Sequence, residues 1–592
     1  MIARSAALPL ALFLSCATST PTSTAKSKPT PTPTPSPTPA STSVPETPDA
    51  PFRAEKPPPL AGQPRFEAPV PLQRKLRNGA RVLVAENHAV PIVAIEILFG
   101  TGIGGESPGK SGLAGFVASM VTESTRSRST TQLAAELEDE AIELGAGAGN
   151  ETSRIRLNTL KEALPKAIEL LADVLQNPAF RPADVDRIRR LKLAALAQKQ
   201  GSPGALAADR AAALLYGEKH PWGQPAGGTP ETVGSITPDD LRKFQRTWYR
   251  PNNAIVSVAG DVTADEIVNV LDRRLAGWKK APLPQLRLPP FPPLEDRFIS
   301  ALDKPGTTQS QVWVVGRTFD ARNPDRQPLL VANEVLGGLF TSRLNMNLRE
   351  QHGYSYGIAS SVSLNKTYGT FFVTGGILAQ HTAEAVREYE REMTKFAAEG
   401  PTDEEVAKAK ETIIRGLPAA LETDDAVSAA LATLDFDGMP LDYYRTVADR
   451  YAKITRADAA RAAKQWIQPG RWPVIVVGPV GGAVDPLRAL ALGEVRVQPA
   501  PGSGEVVAGP QQAPPGAKGP TAGSAPVPEA VTGSAGTTSP APPAGQGAAA
   551  PVEQPPPGAG GPPAAPGSAP SPSGTPPAPP PAAQQPPPQP PR

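Results

Sequence analysis

One fixed displacement in the middle of this chain limits what it can fold into. Ile236, Thr237, Asp240, Trp248, Pro251, Gly260 and Val262 recur as Ile454, Thr455, Asp458, Trp466, Pro469, Gly478 and Val480, each shifted by 454 − 236 = 218 residues without a gap. In both copies the Thr and the Asp three residues on can cap a helix, the Trp and Pro close it, and an apolar run follows at 254–259 and 474–477. A helix-to-strand unit repeated at that distance implies duplication of a whole domain. About two hundred residues per copy lies within ordinary domain size. The expected fold class is therefore α+β, with two similar domains in tandem.

Composition sets the boundaries. The chain has 592 residues and 74 prolines, concentrated near its two ends. Residues 17–66 are mostly Thr, Pro, Ser and Ala, and 498–592 mostly Pro, Ala and Gly. Such segments cannot bury enough apolar surface to offset their ordering entropy, so both are read as disordered. Folded domains are expected at 67–278 and 297–497, joined by a Pro- and Leu-rich connector at 279–296. In the first, Asn78-Gly79 reads as a turn and 80–85 and 92–100 as strands. Ser111 then caps a helix carrying Leu113, Phe116, Val117, Met120 and Val121 on one face, and further helices follow at 160–176 and 183–200. A formal charge of +2 with 20% charged residues gives no footprint for nucleic acid.

The N-terminus has Arg4, then an apolar run at 6–14 that is too short to span a bilayer, and ends at Cys16, the only cysteine. Phe13-Leu14-Ser15-Cys16 resembles a bacterial lipobox with Phe13 in place of the usual leucine. A lone exported thiol has no disulfide partner, which favours a lipid-modified Cys16 over a plain cleaved signal. Residues 1–16 are thus expected to be a lipoprotein-type signal. Ala17 after the cysteine implies, by resemblance to such signals, the periplasmic side of the outer membrane, with the membrane met through the lipid anchor.

Several motifs now fall into one order: Gly109-Lys-Ser-Gly-Leu-Ala114, His220-Pro-Trp-Gly223, Tyr249-Arg-Pro-Asn-Asn253, Val258-Ala-Gly-Asp-Val262, Leu336-Gly-Gly338, Ser342-Arg-Leu344, Leu348-Arg-Glu350 and Gly353-Tyr-Ser-Tyr356. Together they resemble the pitrilysin/insulinase metallopeptidase family, of the processing-peptidase type, over about residues 67–495. The resemblance implies two duplicated domains forming a clam-like pair. Active members carry His-x-x-Glu-His after the Gly-Leu-Ala segment, the two histidines holding zinc with a further glutamate about seventy-five residues on and the motif glutamate serving as general base. Here the motif positions are Gly115, Ala118 and Ser119, and the downstream region near Leu193–Leu196 has no acid. The four histidines, His88, His220, His352 and His381, include no pair at ligand spacing. No metal or other cofactor is expected in this chain.

In the second half, Arg349 and Tyr356 match the family's arginine and the tyrosine seven residues after it. The resemblance implies that they reach a shared active site, the phenol donating to the oxyanion and the guanidinium holding peptide backbone or developing charge. Tyr354 is two residues short of that spacing. The strand at 92–100 corresponds, by that resemblance, to the sheet edge on which family members bind extended peptide; an ordinary buried strand is the equal alternative. Gly337-Gly338 stands for a longer glycine-rich loop, too short here for a presequence receptor. Gly104 with Gly109-Lys110-Ser111 spells a phosphate-loop string, but it opens the family's helix and lacks an acidic Mg²⁺ partner. These features predict a non-zinc subunit, inactive alone, that completes a chamber for unfolded or short peptides with a zinc-bearing family partner. The rival is an inert envelope binding or scaffold protein on the peptidase fold.

Overall fold

The computed structural model describes residues 67–293 and 296–502. The signal with Cys16, the 17–66 segment and the tail from 503 lie outside the described residues. Two six-stranded sheets organise the rest. The first contains β1 (Leu72–Lys75), β2 (Arg81–Glu86), β3 (Ile92–Phe99), β4 (Glu143–Ala148), β5 (Ser153–Leu160) and β6 (Ala254–Gly260), in the order β1-β2-β6-β3-β5-β4. The second contains β7 (Phe298–Asp303), β8 (Gln309–Thr318), β9 (Ser355–Leu364), β10 (Gly369–Leu378), β11 (Val474–Gly478) and β12 (Glu494–Pro499), in the order β12-β7-β11-β8-β10-β9. Without β1 and β12 the two orders are the same. In each, one parallel pair, β2 with β6 or β7 with β11, sits beside an antiparallel run.

The repeated caps form as their chemistry requires. Thr237 accepts from the Asp240 N–H and Thr455 from the Asp458 N–H, each Asp reaching back to its threonine's N–H in a capping box. Other local expectations change. The helix at Leu113–Val121 is entered through Gly112 at φ +90°, a left-handed turn that suits glycine. Its free N–H groups are met by Glu106, which accepts from Gly112 N (3.2 Å) and Ala114 N (2.8 Å). Ser111 instead donates to the Pro225 carbonyl. Residue 160 belongs to β5, and the next helix starts at Leu164, where Pro165 supplies the fixed φ of a first turn. The last strand, β12, runs through Pro499, beyond the boundary expected at 497.

β3 is not an edge. It pairs with β5 on one side and β6 on the other, and seven of its eight residues are buried. The open edge on that side of the sheet is β4, which packs beside the helix Leu113–Val121.

Both sheets are apolar on both faces. In β8, Val312 and Val314 point to one core and Val315 to the other; in β11, Val474 and Val476 oppose Ile475 and Val477. Each half covers one face with its own helices. The other face is covered by a helix from the opposite half: Asp424–Asp437 lies on β3 and β6, and Pro203–Tyr216 lies on β8 and β11. These two helices are themselves repeat equivalents, 424 − 203 = 221 residues apart. Leu431 and Leu434 thus share a core with Leu98 and Ile255, while Leu206 and Leu215 share one with Ile475 and Val477.

Polar contacts line the same seam. Fully buried Glu96 is held by Arg154 (2.8 Å) and Arg156 (2.9 Å) from the adjacent strand, and Arg154 also donates to Thr433 of the crossing helix (3.0 Å). Two guanidiniums satisfy a charge that could not be buried alone. On the reciprocal side Arg210 donates to Ser300 (2.8 Å). Leu431→Ala should therefore cost about 2–5 kcal/mol and still give one unfolding transition in urea. Tryptophan fluorescence and far-UV circular dichroism should coincide, because Trp222, Trp248 and Trp278 report the first half and Trp313, Trp466 and Trp472 the second. A biphasic curve would mean that the halves fold separately.

Candidate functional site

The helix Leu113–Val121 buries Phe116, Val117 and Met120 against the first sheet and turns Gly115 and Ser119 toward the helix Pro182–Lys199. Gly115 and Ser119 are four apart and Ala118 lies beside them, so the face that would carry a His-x-x-Glu-His site is present. Its chemistry is not. Ser119 Oγ donates back to the Gly115 carbonyl at 3.0 Å, and Ala118 is an inert buried methyl. A Cβ at Gly115 would meet open space. Residues 193–196 of the facing helix supply no carboxylate, and among the described residues no three His, Cys, Asp or Glu cluster as metal ligands. These residues do not fit a zinc ion.

A cation stands there instead. Lys192 Nζ donates to the Gly115 carbonyl at 3.2 Å and lies 5.5 Å from the centre of the Phe116 ring. No carboxylate of the described residues pairs with it. Desolvation pushes its ammonium down from 10.5 to about 8. Lys192 was not singled out from sequence. The available signal was a lone lysine in Leu-Lys-Leu-Ala-Ala-Leu, one helical turn before Leu196.

The second half brings its two expected residues together. A wide helical turn at Met346–Gln351 carries Arg349, Gly353 reverses the chain at φ +65°, and β9 begins at Ser355. Register against β10 passes from Ile358–Gly375 to Ser355–Ile377, so Tyr356 and Gly357 together face Gly376. This bulge on an edge strand turns Tyr356 outward, where it is 86% exposed. The Arg349 guanidinium lies 5.1 Å from the Tyr356 ring centre and 4.5 Å from that of Phe340, and pairs with Glu350 at 3.3 Å. Phe340 was also missed from sequence; it is held by Asn345, which donates to its carbonyl (2.7 Å). Tyr354 is taken up elsewhere, stacked between His352 and His381 at 4.9 and 4.5 Å. The phenol at 356 is free to donate and the guanidinium is aimed beside it, which is what oxyanion and peptide contacts need.

The remaining motifs have structural work. His220 is buried and its Nδ1 accepts the Trp222 N–H at 3.0 Å, while His88 meets Asp261 at 2.6 Å. Gly337 lies so close to Ser360 of β9 that a Cβ would come within 2.4 Å of its hydroxyl. Lys110 of the phosphate-loop string pairs with Asp240 (3.0 Å) and donates to the Ser235 carbonyl (2.6 Å).

Lys192 also gives a pH signature. Its folded value lies below its unfolded one, so between about pH 8 and 10.5 the unfolded chain binds more protons and this residue's contribution to stability rises with pH. Lys192→Met should be more stable than the parent at pH 7, with the difference shrinking toward pH 10. Urea midpoints of both proteins across that range check this. A constant difference would place the ammonium in water.

Comparison with known proteins agrees with this geometry. Residues 81–215 match the family described as insulinase (peptidase family M16), and 235–413 the peptidase M16 inactive domain. An uncharacterized zinc protease of Bacillus subtilis is 24% identical over 351 residues, covering 59% of this chain and 84% of its own. One from Streptomyces coelicolor is 26% identical over 413 residues, covering 68% and 89%. Among solved structures, a peptidase M16 inactive domain from Pseudomonas fluorescens superposes with TM-score 0.65 at 20% identity, covering 73% of this chain and 99% of that one. A protease from Helicobacter pylori gives 0.65 at 19%, covering 70% and 100%. With two repeated α+β halves, motifs in family order and both family domains matched in sequence, the chain belongs to the pitrilysin/insulinase family of peptidases.

Proposed function

We infer that this chain is the non-zinc subunit of a heteromeric peptidase, inactive alone, which supplies Arg349 and Tyr356 to a site whose zinc is held by a family partner. The observation that carries the reading is an asymmetry. Exposed Tyr356 lies beside Arg349, whereas Gly115, Ala118 and Ser119 offer no ligand. Unfolded or short peptides are the substrate class. An extended peptide would add to β4, an open edge where Gly145 and Gly147 leave open space beside the backbone.

The test mixes the purified zinc-bearing partner with this chain and follows hydrolysis of an unstructured peptide. The parent should stimulate cleavage. Tyr356→Phe keeps the ring and removes one donor, a loss of about 10²–10³ in turnover. Arg349→Ala should also weaken peptide binding, and both variants should still bind the partner. One feature favours the rival, an inert scaffold: Arg349 is already engaged by Glu350 and Phe340. Full stimulation by both variants would establish that rival.

The lone Cys16 supports a second element, anchoring by lipid at the periplasmic face of the outer membrane. Mass spectrometry of the mature N-terminus should find a diacylglyceryl cysteine, and Cys16→Ala should release the protein from membranes. An unmodified terminus starting elsewhere would refute the anchor.

A further inference from the structure

On the first half, a cavity of about 310 Å³ opens where four segments meet: the turn after the helix Leu113–Val121, the stretch 175–180, the end of the helix Pro238–Trp248, and the start of the connector. Arg126, Arg242, Arg246, Arg250 and Lys279 line it. Their convergence is built by the backbone. Arg126 N donates to Asn177 O (2.9 Å) next to the Thr125–Pro178 bridge. Trp278 Nε1 donates to Tyr249 O (2.8 Å), and Asn252 and Ala281 exchange two hydrogen bonds, which ties the connector to the helix end.

Five cations meet almost no countercharge. Arg242 pairs with Asp239 at 2.8 Å and donates to Phe180 O. For Arg126, Arg246, Arg250 and Lys279, no carboxylate of the described residues is within ion-pair distance. A helix C-terminus attracts one or two cations by its dipole, which accounts for Arg246 and Arg250 but not for Arg126 and Lys279, brought from other segments. Arg250 Nε is buried without a hydrogen bond. Phe180, on the cavity wall, is held at φ +47°, a costly conformation for a bulky residue. A second cavity of about 550 Å³ shares Arg242, Arg246 and Arg250 and adds Lys243, so the positive surface extends past one anionic group.

We propose that this cavity binds a phosphate-bearing polyanion. Guanidinium forks match the non-bridging oxygens of a phosphate group, and several together use more acceptors than one carboxylate offers. Like charges held this close repel in the free protein, so an anion adds stability by mass action and by relieving that repulsion. Soluble phosphates and phospholipid headgroups share the chemistry.

The experiment uses the full chain in a Cys16→Ala background, so that no acyl chain binds membranes by itself. Pyrophosphate is titrated against thermal unfolding with sodium chloride at matched ionic strength as control. In parallel, sedimentation with phosphatidylglycerol vesicles is compared with phosphatidylcholine vesicles. Arg126→Gln and Arg246→Gln, singly and together, change exposed side chains that make no hydrogen bond to the described residues. Each should weaken anion binding about tenfold. The ligand-free variants should melt at or above the parent temperature, because repulsion is removed; an arginine with only a structural role would lower it. Loss of the pyrophosphate effect in the double variant supports the site with a soluble phosphate as ligand. Loss of binding to anionic vesicles supports it with a lipid headgroup. If the double variant responds to both probes as the parent does, or the parent responds to neither, the proposal is wrong.

Discussion

Everything in this fold depends on the fact that neither sheet can cover itself. β3, β6, β8 and β11 present buried apolar residues on both faces, and each half brings its own helices to only one of them. The second face is closed by a single helix from the other half. Separating the halves would expose Leu98 and Ile255 on one sheet and Ile475 and Val477 on the other. The seam is therefore a core, with Glu96, Arg154 and Thr433 as its polar fastening, and it fixes where the two candidate sites stand. With faces covered by helices, the surfaces left to a partner or peptide are edges, and β4 and β9 are the outermost strands at corresponding ends of the two sheets.

The sequence was most legible where structure is local. Thr237 with Asp240 and Thr455 with Asp458 announce helix starts because a cap needs only four residues, and the common displacement of those caps revealed the duplication. Arg349 and Tyr356 were found through the resemblance to the family's motif, and a turn and a bulge bring the two together. What stayed hidden was set by distant partners. β3 could be read as a peptide-binding edge or as an ordinary buried strand, and its nearly continuous apolar run, interrupted only by Glu96, is the pattern of the second, a strand buried on both sides. Ser111 had the composition of a cap, yet Glu106, five residues earlier, takes the N–H groups because Gly112 adopts a left-handed turn. Lys192 was invisible because its meaning comes from Gly115, 77 residues away in sequence.

The two halves have handled charge in opposite ways. In the second, the guanidinium of Arg349 is screened by aromatic rings and one carboxylate but remains at the surface beside an exposed phenol. In the first, a positive charge sits against the very turn that would face a metal, carried by a side chain and stabilised by little except a carbonyl and a ring face.

That lysine bears on whether a metal site could be installed on this helix face. There is room for a side chain at 115, so steric hindrance is no obstacle to placing a ligand there. Electrostatics is: an incoming divalent ion would have to share its cavity with an ammonium, and an imidazole at 115 gains nothing until Lys192 is also replaced. Lys192 thus closes this helix face to a divalent ion by charge where the backbone leaves it open by shape.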